Sequence, residues 1–176
     1  QIAVNAAGIP APTKILDRDG NPCQLDKFTK VIMVNLVGTF NVMSKCVAVM
    51  ARNAPDDLGE RGVVINVSSG AAYEGQIGQA GYSASKAGVI GMNMPAAREL
   101  GAVGVRVNAI APGLFLTQMV KSLGEKVVVS LVDTVEAPRR AGDPMEFAHA
   151  CQFIVENGYL NGETIRLDAA TRLRAR

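Results

Sequence analysis

The 176-residue sequence has one histidine, three cysteines and a formal net charge of only +2, and each shortage removes a class of function. With His149 alone, a site needing two histidines, or a triad built on a histidine base, is close to excluded. Nothing in the sequence pairs with His149, which reads as an ordinary residue of the surface or core. Cys23, Cys46 and Cys151 lie far apart and fit no metal-ligand spacing, so no metal is expected. Their odd count points to free thiols in a reducing compartment. A charge of +2 is too small to argue for nucleic acid, and the one basic cluster, "RLRAR" (172–176), reads as a solvated terminus. No apolar run reaches the length of a membrane span, and no membrane partner is expected.

What is present is a soluble, globular composition, 48% apolar and 19% charged, in a chain long enough for one domain with a real core. Segments alternate along it. "IAVNAAG" (2–8) reads as a buried strand. Residues 25–51 carry an apolar helical stripe of Phe28, Ile32, Leu36, Phe40, Met43, Val47 and Met50. A polar loop (52–62) precedes "VVINVSS" (63–69), a strand covered on both faces. A helix of small residues (79–101), the strand "VRVNAIAPG" (105–113) and a helix over 123–135 follow. Asp143, Pro144 and Glu146 spell a helix start at 142–155, and "GETIRLD" (162–168) is a last strand. Strands alternating with helices predict an α/β fold with a doubly wound parallel sheet. Such a sheet binds ligands where its strand order reverses. The first strand here begins at residue 2, so the sheet is expected to be incomplete, with 2–8 as an exposed apolar edge.

The stretch "GQAGYSASKAG" (78–88) puts Tyr82 and Lys86 on one helix face amid small residues. A phenol titrates near 10 and is a poor acid or base at neutrality, and a nearby ammonium favours the phenolate. Spacing alone leaves the pair equally readable as an i,i+4 surface contact. Ser69 ends a buried strand, where α/β sheets place functional groups; it either steadies a substrate oxygen beside Tyr82 or simply begins a turn. Asn35, alone in an apolar helix, is either a packing contact or the anchor of a water on a proton path to Lys86. The small face 81/84/85/88/91 suits tight helix packing.

These residues resemble the short-chain dehydrogenase/reductase family, whose tyrosine–lysine signature matches Tyr82-Ser83-Ala84-Ser85-Lys86. The family's serine falls on Ser69 and its helix asparagine on Asn35. Its strand-end motif falls on Asn5-Ala6-Ala7-Gly8, and its Pro-Gly motif on Pro112-Gly113 with Thr117 beyond. "EGQIGQAGYSASKAGVIGM" (74–92), "RVNAIAPGLF" (106–115), "RAGDPMEFAH" (140–149) and "NGETIRLD" (161–168) are similar to the type II 3-hydroxyacyl-CoA dehydrogenase branch, also known as a 17-beta-hydroxysteroid dehydrogenase. The resemblance implies a Rossmann-like enzyme that interconverts a secondary alcohol and a ketone with NAD. Tyr82 would exchange the proton, and Lys86 would hold the ribose and lower the tyrosine pKa. Ser69 would steady the carbonyl, and Asn35 would anchor the relay water. It also implies cofactor contacts from Asn5, Ala6, Gly8, Pro112, Gly113, Phe115 and Thr117, and substrate contacts from Gln76 and Gln79. Phe115, Leu116, Met119, Leu123 and Leu131 would form an apolar lid over an acyl-CoA or steroid-like substrate, or else an ordinary packed helix. A homotetramer built as a dimer of dimers is implied, in the cytoplasm or the mitochondrial matrix.

The sequence departs from the family in three places. Its glycine-rich loop and the acidic residue that selects NAD over NADP would precede residue 1, so NADP stays open and the domain, 1–176, is expected to be N-terminally incomplete. Pro95 should kink the signature helix. Asp168-Ala169-Ala170 stands where the family has glycines. Two alternatives remain: an NADPH-dependent 3-oxoacyl-carrier-protein reductase, and a non-catalytic scaffold in an RNA-processing complex.

Overall fold

A computed structural model describes residues 1–121 and 124–175. Four strands, β1 (Ile2–Asn5), β2 (Gly62–Val67), β3 (Val105–Pro112) and β4 (Thr164–Leu167), form one sheet in that order. All pairings are parallel, with Val4 opposite Ile65, Val64 opposite Val107 and Ile110 opposite Ile165. Parallel neighbours require crossovers, and helices supply them. These are α1 (Leu25–Ile32) and α2 (Gly38–Met50), α3 (Ala80–Gly101), and the run α4 (Gln118–Lys121), α5 (Glu125–Val132) and α6 (Pro144–Glu156).

Alternation along β2 assigns its side chains to two layers. Val64 packs with Met43, Val47 and Met50 of α2 and Ala97 of α3, whereas Val63 and Ile65 pack with Ile154 of α6. Helices therefore cover both faces, as a doubly wound sheet requires. Strand β1 is the exception. Ala3 meets the α2 layer, but Ile2 and Val4 are 57% and 44% exposed. The reading of 2–8 as buried is thus corrected, and the expectation of a bare apolar edge is met.

The long helix of 25–51 forms, with one difference. Met33–Val37 is π-helical, and the Gly38 N–H reaches back to the Met33 carbonyl. The wider turn lets residues spaced by four stay on one line, because it offsets the drift of an α-helix. The buried line is Val31, Asn35, Thr39, Met43, Val47 and Met50, while Phe28 and Phe40 of the expected stripe are exposed. Leu25–Met50 is also long and apolar enough to cross a membrane, with mean hydropathy 1.5, contrary to the run-by-run reading; its inner line packs on the sheet.

Helix α3 continues through Pro95, so the proline does not end it. The small face splits: Gly81 abuts Phe28 and Gly88 abuts Leu36, Ser85 is buried, and Ala84 is exposed. At α6 the capping box forms as expected, with Met145 N donating to Asp143 Oδ1 (2.8 Å) and Asp143 N to Glu146 Oε2 (2.8 Å). His149 lies exposed on that helix.

Candidate active site

The carboxyl ends of the strands carry the site. Beyond β2, Ser69 is extended (φ −167°, ψ 155°), and its Oγ accepts the Ala71 N–H at 3.1 Å, capping the short 3-10 turn Gly70–Ala72. The turn reading of Ser69 is therefore correct, and it leaves the hydroxyl proton free to serve a ligand. Ser68 Oγ donates to the Lys86 carbonyl (2.8 Å), and Lys86 Nζ donates to the Val67 carbonyl (2.8 Å). Lys86 is thus clamped to the strand end at both its backbone and its ammonium.

Tyr82 lies one helical turn earlier, with the Ser69 hydroxyl close enough to act on its phenol. Lys86 Nζ stands 5.9 Å from the centroid of its ring. Burial pushes the phenol pKa above its usual 10.0, and the neighbouring Ser69 hydroxyl pulls it partly back. Burial also brings the Lys86 pKa from 10.5 down to about 8. The expectation that Lys86 lowers the tyrosine pKa is not met. The ammonium lies against Val67 O, and desolvation is the larger influence on the phenol.

Asn35 is fully buried. Its Oδ1 accepts the Ile9 N–H (2.8 Å), and its Nδ2 donates to the Ile9 carbonyl (3.0 Å) and to Ser85 Oγ (3.1 Å). Ser85 Oγ in turn donates to the Tyr82 carbonyl at 2.7 Å. Even its backbone carbonyl accepts Thr39 Oγ1 (2.7 Å). The amide joins the loop after β1 to the signature helix, and each of its side-chain polar atoms is bonded. Gly8 completes the junction. A Cβ there would sit 3.3 Å from Asn35 Oδ1 and 3.4 Å from Lys86 Nζ, so a side chain at this position would press on both.

The other candidates divide. Asn5 is buried, and its Nδ2 donates to Asn66 Oδ1 (2.8 Å), which turns it toward the sheet; Ala6 is exposed beyond it. Pro112 and Gly113 line the cleft at Ser69, and Gly113 N donates to the Leu167 carbonyl (2.9 Å). Phe115 turns its ring onto α6, edge-on to Phe147 at 6.0 Å and 87°. Thr117 is exposed, with its N–H on the Phe115 carbonyl (2.7 Å). Of the proposed lid, Leu131 lines the Ser69 cleft and Leu116 is exposed; Leu123 and the Met119 side chain lie outside the described residues. Gln76 and Gln79 bond each other, Gln76 N to Gln79 Oε1 at 3.0 Å and Gln79 Nε2 to Gln76 Oε1 at 3.3 Å. They line a separate cleft against Thr13–Leu16, not the one at Ser69, so their assignment to the substrate is not supported.

Sequence reasoning missed the ionic group beside the site. Arg166 pairs with Glu74 (2.9 Å) and Asp168 (2.6 Å) and stacks on Tyr73 at 4.7 Å. Burial works against Arg166, but Glu74 and Asp168 hold its pKa above the usual value, and Arg166 holds that of Glu74 below it. No spacing signal links residues 74 and 166. Only the alternation of charge in "RLD" could have drawn attention.

The nicotinamide cofactor that the family implies can be tested against these atoms. Lys86 Nζ uses one of its three donors on Val67, and no carboxylate contributes to its shift, so two donors remain for sugar hydroxyls. The residues at this end of the site fit the ribose–nicotinamide portion. The 176 residues contain no glycine-rich turn between a strand and a helix for the pyrophosphate.

Residues 1–128 match the family model described as short chain dehydrogenase. The chain belongs to the short-chain dehydrogenase family. The chain of this dehydrogenase is 51% identical over 174 residues to 3-hydroxyacyl-CoA dehydrogenase type-2 of Rattus norvegicus and of Homo sapiens, covering 98% of this chain and 67% of theirs. It is 36% identical to (3R)-3-hydroxyacyl-CoA dehydrogenase of Homo sapiens, over 94% of this chain and 60% of that one. The crystal structure of 3-hydroxyacyl-CoA dehydrogenase type-2 from Mycobacterium avium superposes with a TM-score of 0.95 at 43% identity, covering 100% of this chain and 68% of its own. The dehydrogenase thus spans about two thirds of the length of these relatives, and it is an oxidoreductase by family. The Rossmann-like α/β reading of the sheet agrees with that superposition.

Proposed function

We propose that the protein carrying this chain interconverts 3-hydroxyacyl-CoA and 3-oxoacyl-CoA with NAD(H). The observation that supports it is the convergence of Tyr82, Ser69 and a desolvated Lys86 at the strand ends. A bound nicotinamide would supply hydride to the carbonyl carbon, or accept it from the alcohol. Tyr82 gives its phenolic proton to the carbonyl oxygen in reduction and takes it back in oxidation. The phenol is protonated at neutrality, the state that reduction requires. Ser69 donates a hydrogen bond to the same oxygen, and charge develops on that oxygen as hydride arrives, so the bond strengthens toward the transition state. Lys86 would hold the ribose, and Asn35 positions the Tyr82 turn through Ser85, which bonds the Tyr82 carbonyl. The exposed Met33, Val37 and Phe40 on the long helix support self-association through that face.

The test is NADH consumption by the full-length gene product with acetoacetyl-CoA, with NADPH and Tyr82→Phe run in parallel. Turnover with NADH that falls by about 10³-fold in the variant is expected. Preference for NADPH would move the assignment to a carrier-protein reductase. Folded protein that binds NADH but leaves acetoacetyl-CoA untouched would overturn the acyl-CoA reading.

A further inference from the structure

The cleft at Ser69 has a second wall to which the reaction chemistry assigns no role. Ser69 shares it with Leu114, Leu131, Thr134, Thr171 and Leu173. Thr171 is 5% exposed, and its Oγ1 has no partner among the described residues. A buried hydroxyl is costly to leave unbonded, and Thr171 is one of the residues that line the cleft. The segment that carries Thr171 and Leu173 has no regular secondary structure. It is fixed by the loop that follows Ser69. Ile77 N donates to the Ala175 carbonyl (3.0 Å), and Gln76 Nε2 to the Arg174 carbonyl (3.2 Å). Glu74 is the centre of this attachment. It takes both arms of Arg166 (2.9 and 3.3 Å) and Arg172 Nε (3.4 Å), with the Leu173 amide beside it.

We infer that Thr171–Leu173 is a specificity wall of the substrate cleft and that Glu74 is the positioning residue holding it against Ser69. The inference rests on the reading of Ser69 and Tyr82 as the reacting pair. A substrate with its carbonyl between those hydroxyls lays its apolar chain along Leu131 and Leu173. Side-chain size at position 173 sets the chain length that fits, and the carboxylate of Glu74 sets how firmly the wall stands.

The experiment compares acetoacetyl-CoA with a medium-chain 3-oxoacyl-CoA on the full-length gene product and three variants. Leu173→Ala should raise the medium-to-short ratio of kcat/KM by about 5-fold or more, and Leu173→Trp should lower it by a similar factor. Glu74→Gln should raise KM for both substrates about 5-fold with kcat within about 2-fold, as loss of binding without loss of chemistry requires. Trypsin should also cut after Arg172 faster in Glu74→Gln than in the wild type, a readout independent of turnover. Active, folded variants that keep the wild-type chain-length ratio overturn this inference alone. A wild type silent on both substrates overturns it together with the proposed function.

Discussion

The site is walled on one side by the junction of α3 with the long helix and on the other by the tail beyond β4, and the two walls are held by different forces. The first is a chain of neutral hydrogen bonds through Ile9, Asn35, Ser85 and Tyr82, centred on the buried Asn35 and Ser85. The second is ionic, partly wet, and draws Glu74, Arg166, Asp168 and Arg172 from segments far apart in sequence. Buried neutral bonds tolerate little displacement, because each unpaired atom carries its full desolvation cost. Ion pairs that keep some contact with solvent, as those of Arg172 do, are weaker and adjust. The rigid wall therefore suits the groups that must meet a reacting atom, and the adjustable wall suits contact with the variable part of a substrate.

The contrast can be broken most severely at Asn35. Asn35→Ala strands the Ile9 N–H and carbonyl and takes away the amide that donates to Ser85 Oγ, and should cost about 3 kcal/mol in denaturant unfolding. A loss below about 1 kcal/mol would mean that the neutral wall is no stiffer than the ionic one. Lys86 sharpens it through pH. Its folded pKa, about 8, lies below the ordinary 10.5, so the unfolded chain binds more protons between these values and stability rises as pH climbs from about 8 toward 10.5. Relative to Lys86→Met, the wild type should gain on the order of 3 kcal/mol across that window in thermal or urea melts. An unchanged gap would show that the ammonium is better solvated than its burial indicates.

The smallest effect is expected at the turn that opens the ionic wall. Thr171 N closes it on the Asp168 carbonyl (2.8 Å), and both central residues have positive φ, 48° at Ala169 and 57° at Ala170. A β-carbon in that region costs about 1–2 kcal/mol, part of which glycine returns as chain entropy. Ala169→Gly and Ala170→Gly should each raise stability by about 0.5–1 kcal/mol, read as a higher melting temperature. A loss on both would show that the methyl groups are packed rather than strained. The departure from the family's glycines thus corresponds to a definite backbone feature, one that the residue types alone flagged without explaining.

Much of the neutral wall was legible in the sequence. Tyr82 and Lys86 are four apart on one helix, Ser69 ends a strand whose β-branched run is unmistakable, and Asn35 is conspicuous among apolar neighbours. The alternating strands and helices led to a parallel sheet with helices on both faces, and the capping box at Asp143 was readable from three letters. Less of the ionic wall was. Gln76 and Gln79 looked like substrate contacts by position, yet they bond each other on a separate cleft. Phe28 and Phe40 looked like core until the π-helical segment rotated their face outward.

By itself, the sequence determined what local periodicity and chemistry can encode: the order of strands and helices, the helical spacing of phenol and amine, and the identity of the capping residues. Tertiary structure decided what depends on distance and burial. It turned Lys86 onto Val67 and not onto the phenol, raised the Tyr82 pKa where a nearby charge was expected to lower it, and brought Glu74 to Arg166 across the domain. Desolvation and long-range pairing have no sequence period. They exist only once the chain has closed around them.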